Sequence, residues 1–389
     1  MPASFPPDAE AGTVSAELLQ IIRARIQRSD GCLPFDAYME AALYEPGLGY
    51  YSNGLVPFGE QGDFITAPES GSLFARCLAN CIASVLEQVG QGVVLELGAG
   101  SGVLAADLLS ALQVLDALPE HYCILERSPA MRALQRETLH DRVPAFIDRV
   151  SWLDSLPESP LSGVVFGNEV ADALPVRRFR WNPDGVRELG VALGSDGLCE
   201  CERPADVEFE AQVHRMAGTY QWQGDYRSEY CAALPAWIRS LADSLEHGLL
   251  LMTDYGYGRA EYYHPQRSMG TLICHYRHTA SADPLRSPGL QDITAFVDFT
   301  AMAEAADDAG MQLEGYTSQA QFLIACGIDR LMEAAGADGD TVRFLQLSNE
   351  AKRLMLPGEM GDRFKAMGFS RGLGQAVTGF TGQDLRSRL

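Results

Sequence analysis

Apolar residues recur at helical spacing through much of the first ninety positions. In the first stretch Leu18, Ile22 and Ile26 lie four residues apart, so they share one face of an amphipathic helix. The predicted helices span residues 14–27, 34–42 and 70–88. Segments with glycine and proline, typical of turns and loops, separate these helices. We therefore expect residues 1–75 to form a helical extension followed by a loop.

From residue 92 onward, short apolar runs alternate with helical patterns. Apolar runs that end at glycine or polar residues are typical of buried parallel strands. The predicted strands span residues 92–97, 122–126, 145–150, 163–167 and 248–254. The predicted helices of this region span residues 103–112, 131–139, 299–309, 318–325 and 340–355. This alternation predicts the α/β class, with a Rossmann-like, doubly wound parallel sheet and right-handed crossovers.

Two segments interrupt the alternation of strands and helices. Residues 176–202 alternate between apolar and polar positions and contain turn signals, which predicts an inserted unit of three antiparallel strands. Residues 256–291 are rich in glycine, proline, tyrosine and histidine without clear periodicity, as long functional or mobile loops often are. We assign residues 76–389 to one domain with insertions at about 176–247 and 256–291.

Composition narrows the possible partners and compartments. The 389 residues carry 30 Lys and Arg against 52 Asp and Glu, a net charge of −22. Such a surface repels phosphate backbones and anionic membranes, so we expect no nucleic-acid partner. The apolar runs fall well short of the ~20 residues that span a bilayer, so we expect no membrane insertion. Nine scattered cysteines and the lack of a secretory signal predict free thiols in a reducing cytoplasm.

The strongest chemical signal is a glycine-rich segment between a predicted strand and a predicted helix. Residues 96–102 read Glu-Leu-Gly-Ala-Gly-Ser-Gly, and small residues ahead of a helix N-terminus let a ligand approach the backbone closely. A dinucleotide fingerprint would need Gly or Ala at the position of Val103, which disfavours a nucleotide-linked oxidoreductase. Class I methyltransferases that use S-adenosylmethionine carry E/D-x-G-x-G-x-G here. They also place an acid at the end of the second strand, where Glu126 stands.

A series of further motifs occurs in a fixed order from about residue 31 to residue 375. They are 35–40 (FDAYME), 44–51 (YEPGLGYY), 62–69 (GDFITAPE), 96–102 (ELGAGSG), 168–176 (NEVADALPV), 254–257 (DYGY), 276–278 (YRH), 283–285 (DPL), 292–295 (DITA) and 315–319 (GYTSQ). With these motifs the chain resembles the MidA family of methyltransferases, although its glycine motif lacks the Pro and Arg common in the mitochondrial form. The resemblance implies S-adenosylmethionine as cofactor, covered by the loop that carries Asp63. It also implies an arginine acceptor in a subunit of respiratory complex I or its bacterial counterpart.

Polar residues at the end of the fourth predicted strand are candidates for acceptor chemistry. Asn168 and Glu169 end that strand and Asp172 follows one turn later. Carboxyl ends of strands in a doubly wound sheet face the ligand crevice, and a carboxylate there can orient a guanidinium through two hydrogen bonds. The simpler alternative is that Glu169 caps the next helix. His278 is included because histidine takes up a proton near neutral pH.

The sequence thus predicts a methyltransferase that modifies a protein side chain, with arginine the favoured acceptor. The predicted catalytic residues are Glu169, Asp172 and His278. The predicted cofactor ligands are Asp63, Glu96, Gly98, Ala99, Gly100, Gly102, Glu126 and Asn168. No metal is expected, because direct methyl transfer needs none. The main alternative is a non-catalytic assembly factor that retains the fold, and a homodimer is left open.

Overall fold

A computed structural model describes residues 9–55, 67–90, 92–276 and 279–389. The chain divides into two compact units. The first comprises Met1–Phe64, Ala173–Ala233 and Ala260–Phe296, and the second comprises Ile65–Asp172, Leu234–Arg259 and Val297–Leu389. Two predicted site residues, Asp63 and His278, lie outside the described residues. The domain boundary predicted near residue 75 stays a prediction.

Helices and strands alternate through most of the chain. The helices are α1 (Ala9–Arg28), α2 (Phe35–Tyr44), α3 (Leu73–Val89), α4 (Val103–Val114), α5 (Pro129–Arg142), α6 (Val207–Tyr220), α7 (Leu234–Asp243), α8 (Arg259–Tyr262), α9 (Phe299–Asp308), α10 (Gln319–Ala325), α11 (Ile328–Ala337) and α12 (Thr341–Met355). The strands are β1 (Leu33–Pro34), β2 (Val93–Leu97), β3 (His121–Leu125), β4 (Val150–Leu153), β5 (Leu161–Asn168), β6 (Arg177–Asn182), β7 (Gly185–Gly194), β8 (Gly197–Pro204), β9 (Tyr226–Tyr230), β10 (Leu245–Tyr257), β11 (Ile273–Tyr276), β12 (Thr279–Ser281), β13 (Asp292–Thr294), β14 (Val297–Asp298), β15 (Gln312–Ser318) and β16 (Phe364–Arg371). Short 3₁₀ helices cover Pro68–Ser70, Pro144–Arg149 and Arg386–Arg388.

The second unit is built on a large mixed sheet. Its strand order is β15-β16-β10-β5-β2-β3-β4, and β14 pairs beside β10. The strands from β10 to β4 run parallel, whereas β16 is antiparallel to both β10 and β15. The α/β class and the Rossmann-like parallel core are therefore confirmed. The antiparallel pair β15 and β16 was not predicted.

The parallel strands are apolar along their length because helices cover them. Val94 on β2, Val164 on β5 and Leu249 on β10 are fully buried and join one hydrophobic core with side chains of α3 and α4. Cys77 and Cys81 on α3 belong to that core. The carboxyl ends of β2, β3, β5 and β10 consequently lie along one edge of a rigid layer, which is where ligands bind in sheets of this kind.

One predicted strand of this unit is misplaced. Residues 145–150 were expected to be a strand, but Pro144–Arg149 forms a 3₁₀ helix and β4 begins only at Val150. Pro144 begins that 3₁₀ helix, where its fixed φ and missing N–H are tolerated. The strand is displaced by the helical turn that this proline starts.

The first unit contains an antiparallel sheet, a smaller sheet and the N-terminal helices. The predicted three-stranded insertion is confirmed as β6, β7 and β8, and β1 and β9 extend it to five strands. The segment without clear periodicity contains β11 and β12, which pair with β13 in a three-stranded sheet. Leu18, Ile22 and Ile26 of α1 are buried together with Phe35 and Tyr38 of α2, as the helical spacing predicted.

The expectation that all cysteines are free thiols is wrong for one pair. Cys32 and Cys201 form a disulfide across 169 residues of sequence. Cys201 lies beside Gly190 of β7, and a side chain at Gly190 would meet the Cys32 sulfur. The glycine leaves the space that the disulfide fills. Scattered cysteine spacings cannot reveal such a pairing.

None of the helices in the part of the chain that the structure describes is long and apolar enough to cross a lipid bilayer. The cytoplasmic location stays a prediction.

Candidate active site

The glycine-rich turn between β2 and α4 has a backbone that only glycine adopts freely. Gly98, Gly100 and Gly102 have φ values of 60°, 52° and 85°, in the left-handed region where a side chain is strained. Ala99 between them is buried. The three glycines are therefore explained by local geometry before any ligand is considered.

Neighbouring elements close around this turn on two sides. A Cβ atom built on Gly98 would lie 3.2 Å from Val170 Cγ1, and one on Gly102 would lie 3.1 Å from the Cα of Gln135. Gly98 N–H donates to the Leu125 carbonyl at the end of β3, at 3.1 Å. The turn is thus fixed against α5 and β3, and its three glycine positions let a small ligand approach the backbone closely.

Glu126 stands directly after β3, beside the glycine turn. Its Oε1 accepts a hydrogen bond from the Ser128 N–H at 2.8 Å, and its Oε2 accepts one from Gln135 Nε2 at 3.1 Å. Burial raises the pKa of this carboxyl, while the hydrogen bonds and nearby Arg132 oppose the rise. The structure therefore brings Glu126 and the glycine turn together at the carboxyl ends of two adjacent strands, as predicted from their order in the sequence.

Glu96 occupies a different environment from the other predicted cofactor ligands. It lies within β2 and is 2% exposed, and its Oε2 accepts a hydrogen bond from the Tyr122 hydroxyl at 2.7 Å. Burial raises its pKa to about 7, and the tyrosine hydrogen bond only partly opposes this. The Glu96 carboxyl group is therefore buried inside the second unit, where its hydrogen bond with Tyr122 links β2 to β3.

Three polar residues near the turn were not among the predicted site residues. The fully buried amide of Gln135 donates to the Gly100 carbonyl at 3.0 Å, and the Ser101 hydroxyl donates to Glu69 Oε1 at 2.5 Å. Gln135 interrupts the apolar stripe that Met131 and Leu139 form on α5, and a polar residue in such a stripe is a usable signal. Glu69 belongs to the motif of residues 62–69, but its sequence position alone did not single it out.

The carboxyl end of β5 carries a second set of polar residues. Glu169 has a φ of 55°, unusual for a residue with a side chain. Its N–H donates to the Thr253 carbonyl at 2.9 Å, and Asn168 Nδ2 donates to its Oε1 at 3.1 Å. The Thr253 hydroxyl in turn donates to Asn168 Oδ1 at 2.8 Å. Side chains and backbone from two strands thus hold Glu169 in a strained conformation, which is common at functional sites.

Asp172 and Asp254 complete a group of three carboxylates. Asp254 Oδ2 accepts hydrogen bonds from the N–H groups of Ala171 and Asp172, at 2.9 and 3.2 Å. Asp172 Oδ2 accepts one from the Tyr255 hydroxyl. Burial and the nearby charges of Asp172 and Glu169 hold the pKa of Asp254 well above its usual range. We call Glu169, Asp172 and Asp254 the carboxylate group.

Asp254 was not among the predicted site residues, although it begins the motif of residues 254–257. Its position near the end of the fifth predicted strand was the available signal, because β5 and β10 are adjacent and parallel. Of the predicted catalytic residues, the structure brings Glu169 and Asp172 together. It does not describe His278.

Comparisons with known proteins agree with this geometry. Residues 77–317 match the model of the family Methyltransf_28, described as S-adenosyl-L-methionine-dependent methyltransferase. A protein from Bos taurus, "Protein arginine methyltransferase NDUFAF7, mitochondrial", is 30% identical over 394 residues, covering 92% of this chain and 83% of its own. Its counterpart of the same name from Danio rerio is 28% identical, covering 91% and 87%.

A solved structure extends the comparison to a bound ligand. A COG1565 superfamily member from Burkholderia thailandensis is 41% identical to this chain, and the match covers 100% of both chains with a TM-score of 0.93. That protein was crystallised with S-adenosyl-homocysteine, the product that remains after S-adenosylmethionine gives up its methyl group.

Proposed function

Because the chain belongs to the Methyltransf_28 family of S-adenosyl-L-methionine-dependent methyltransferases, we propose that it transfers the methyl group to an arginine side chain of a protein. S-adenosylmethionine is its cofactor, and supplies a methyl group activated by a positively charged sulfur. The observation that carries the arginine assignment is the carboxylate group at the ends of β5 and β10. The proposal thus assigns cofactor binding to residues at the carboxyl ends of β2 and β3, which we call the cofactor end. It assigns acceptor binding to residues at the carboxyl ends of β5 and β10, which we call the acceptor end.

The residues at the carboxyl ends of β2 and β3 fit this cofactor. Gly98, Gly100 and Gly102 leave three positions of the turn without side chains, so a ligand can reach the backbone there and the start of α4. Glu126 provides a carboxylate that accepts hydrogen bonds and stands beside that turn, which suits the hydroxyl pair of a ribose. These residues would hold the cofactor and fix its orientation.

The carboxylate group fits a guanidinium better than it fits a neutral acceptor. Three carboxylates that share one region are costly in a poorly solvated place, because like charges repel there more strongly than in water. A guanidinium keeps its charge in proteins and presents five donors in a planar fork. Glu169 is the more accessible member, since Asp172 and Asp254 are buried. We assign it to binding the guanidinium and to offsetting charge at the reacting nitrogen.

The names of the relatives support the same assignment. The proteins from Bos taurus and Danio rerio are called protein arginine methyltransferases, and the match spans most of their length. We further propose that the acceptor is a subunit of respiratory complex I or its bacterial counterpart, as the resemblance to the MidA family implies. The acidic net charge of −22 favours a cationic acceptor segment.

The test replaces Glu169 with glutamine. Glu169→Gln keeps the size of the side chain but removes its charge, so we expect S-adenosylhomocysteine affinity to stay unchanged while methyl transfer falls by about 10²–10³-fold. The assay follows labelled methyl groups into lysate proteins from a strain that lacks the gene, with mass spectrometry of arginine peptides. Glu137→Gln, which neutralises an exposed glutamate of α5, is the matched control and should transfer normally.

The same variants separate an enzyme from a scaffold. Full activity of Glu169→Gln would remove Glu169 from the mechanism. Labelled product on a residue other than arginine would contradict the acceptor assignment and leave the methyltransferase intact. If Glu169→Gln and Gly100→Val both restored the phenotype of the deletion strain, catalysis would be dispensable and the protein would act as an assembly factor.

A further inference from the structure

The side chain of Gln135 joins three parts of the cofactor end of the site. It lies on α5 and is fully buried, although glutamine is seldom enclosed without partners. Its Nε2 donates to the Gly100 carbonyl at 3.0 Å and to Glu126 Oε2 at 3.1 Å. Its Oε1 accepts a hydrogen bond from the indole N–H of Trp152 on β4, at 3.0 Å. One amide therefore connects the glycine turn, the acid after β3 and the neighbouring strand.

The orientation of this amide follows from its partners. The Trp152 indole nitrogen can only donate, so the atom that faces it must be the amide oxygen. The amide nitrogen then faces the Gly100 carbonyl and the Glu126 carboxylate, both of which accept. Trp152 is itself braced by the guanidinium of Arg136, whose Cζ lies 4.5 Å from the ring centre. Both polar atoms of the Gln135 amide therefore have hydrogen-bond partners.

We propose that Gln135 is a positioning residue of the cofactor site, which fixes Glu126 and the glycine turn relative to each other before the ligand binds. The proposal rests on the role assigned above to Glu126. Two donors and one acceptor are needed at this place. A leucine offers none, and a lysine offers no acceptor to Trp152. Preorganisation of this kind lowers the ordering that binding must otherwise impose.

A glutamate at this position would serve only while it kept its proton. The protonated acid can donate to the Glu126 carboxylate, but once it ionises two carboxylates about 3 Å apart repel each other. The affinity of a Gln135→Glu protein for S-adenosylhomocysteine should therefore weaken as pH rises. A flat pH profile would show that the contact between this position and Glu126 does not affect binding.

Calorimetry with S-adenosylhomocysteine on the full chain tests the inference. We expect Gln135→Met, which keeps length without hydrogen bonds, to weaken binding by about tenfold, since each lost hydrogen bond to a charged group has a modest cost. We expect Gln135→Glu to lose about tenfold in affinity between pH 6 and pH 9, while the natural protein changes less than about twofold. Trp152→Phe, which leaves Gln135 but removes its orienting donor, should lose about two- to threefold.

The outcomes distinguish this inference from the function on which it rests. Normal binding by Glu126→Ala would overturn the role of Glu126 itself. Weak binding by Glu126→Ala, together with normal binding by Gln135→Met and a flat pH profile for Gln135→Glu, would overturn the role of Gln135 alone. If Gln135→Met did not fold, the pH profile of Gln135→Glu would decide between the two results.

Discussion

The two carboxylate sites at the carboxyl edge of the large sheet are built in opposite ways. Glu126, after β3, accepts hydrogen bonds from neutral donors, the Ser128 N–H and the Gln135 amide, and one cation, Arg132, lies nearby. Asp254, near the end of β10, also accepts backbone N–H groups, but two further carboxylates lie close to it. The first site isolates a single acid, and the second concentrates negative charge.

This difference indicates what each end can bind. A single carboxylate that already has a cation nearby, as Glu126 has Arg132, can accept hydrogen bonds from hydroxyl groups and needs no charge from the ligand. A group of like charges in a buried place is stabilised by protonation or by a cation. The pKa of Asp254 is raised well above its usual range, which agrees with the second description. One sheet edge thus offers a place for a polar neutral ligand group and a place for a cation.

The largest expected effect is on cofactor binding, and it comes from a variant of the glycine turn. Gly100→Val adds a branched side chain to the turn and should weaken S-adenosylhomocysteine binding at least about 1,000-fold, or about 4 kcal/mol. Gly310→Val is the matched control, because Gly310 has a φ of 72° and open space around it. Both variants carry the strain of a positive φ, but only the first should lose the ligand in calorimetry. Equal binding by both would show that the turn is not the cofactor site.

The next largest effect is expected on methyl transfer, from a variant at the acceptor end. Asp254→Asn replaces an ionisable carboxyl with a neutral amide and turns its N–H₂ toward backbone donors, so we expect methyl transfer to fall by about 100-fold. The affinity for S-adenosylhomocysteine should change by less than about twofold. Asp243→Asn, on the exposed surface of α7, provides the control for a lost carboxylate. If cofactor affinity fell together with transfer, the two ends would not be independent.

Much of the parallel core could be predicted, because each buried strand is an apolar run that ends at a polar or glycine residue. β2, β5 and β10 lie close to their predicted ranges. The antiparallel strands β15 and β16 were missed, although β16 is buried along most of its length. Its glycine and polar residues break the apolar run, and its pairing depends on β10, which lies more than a hundred residues earlier. Pairing over that distance leaves no local pattern.

The candidate site likewise has parts that could be predicted from the sequence and parts that could not. Glu126 and the glycine turn could be predicted, because a strand, a glycine cluster and a following helix occur in order along the chain. Asp254 was missed because its role depends on the loop after β5 meeting β10, two segments about eighty residues apart in the sequence. Gln135 was missed because its three partners come from three elements. Contacts of this kind arise only when the sheet assembles.

A third carboxyl, Glu96, differs from both carboxylate sites in making the stability of the protein depend on pH. Its pKa is raised to about 7 from 4.5, so its contribution to stability is complete below about pH 4.5 and is lost as pH rises through 7. Glu96→Gln stays neutral and can still accept from Tyr122. Between pH 4.5 and pH 8 the free energy of unfolding of the natural protein should fall by about 2–3 kcal/mol relative to this variant, at about 1.4 kcal/mol per unit. Urea unfolding of both proteins at the two pH values measures this difference. An equal change in unfolding free energy for the two proteins would contradict a buried Glu96 that ionises in this range.

The smallest expected effect concerns the hydroxyl that holds Asn168 in place at the acceptor end. Thr253→Val is nearly isosteric and leaves Asn168 Oδ1 without the donor that now lies 2.8 Å away, so we expect a loss of about 1 kcal/mol in unfolding free energy. Because Asn168 donates to Glu169, methyl transfer should fall by a few-fold, while S-adenosylhomocysteine affinity should stay the same.

The matched control for Thr253→Val is Thr317→Val on β15. The Thr317 hydroxyl is buried and has no hydrogen-bond partner among the described residues, so replacing it should leave stability unchanged or slightly higher. Comparing the two valines separates the loss of a hydrogen bond from the burial of a methyl group. If both variants kept full transfer, Asn168 would need no help in orienting Glu169, and the acceptor end would be held by its backbone contacts alone.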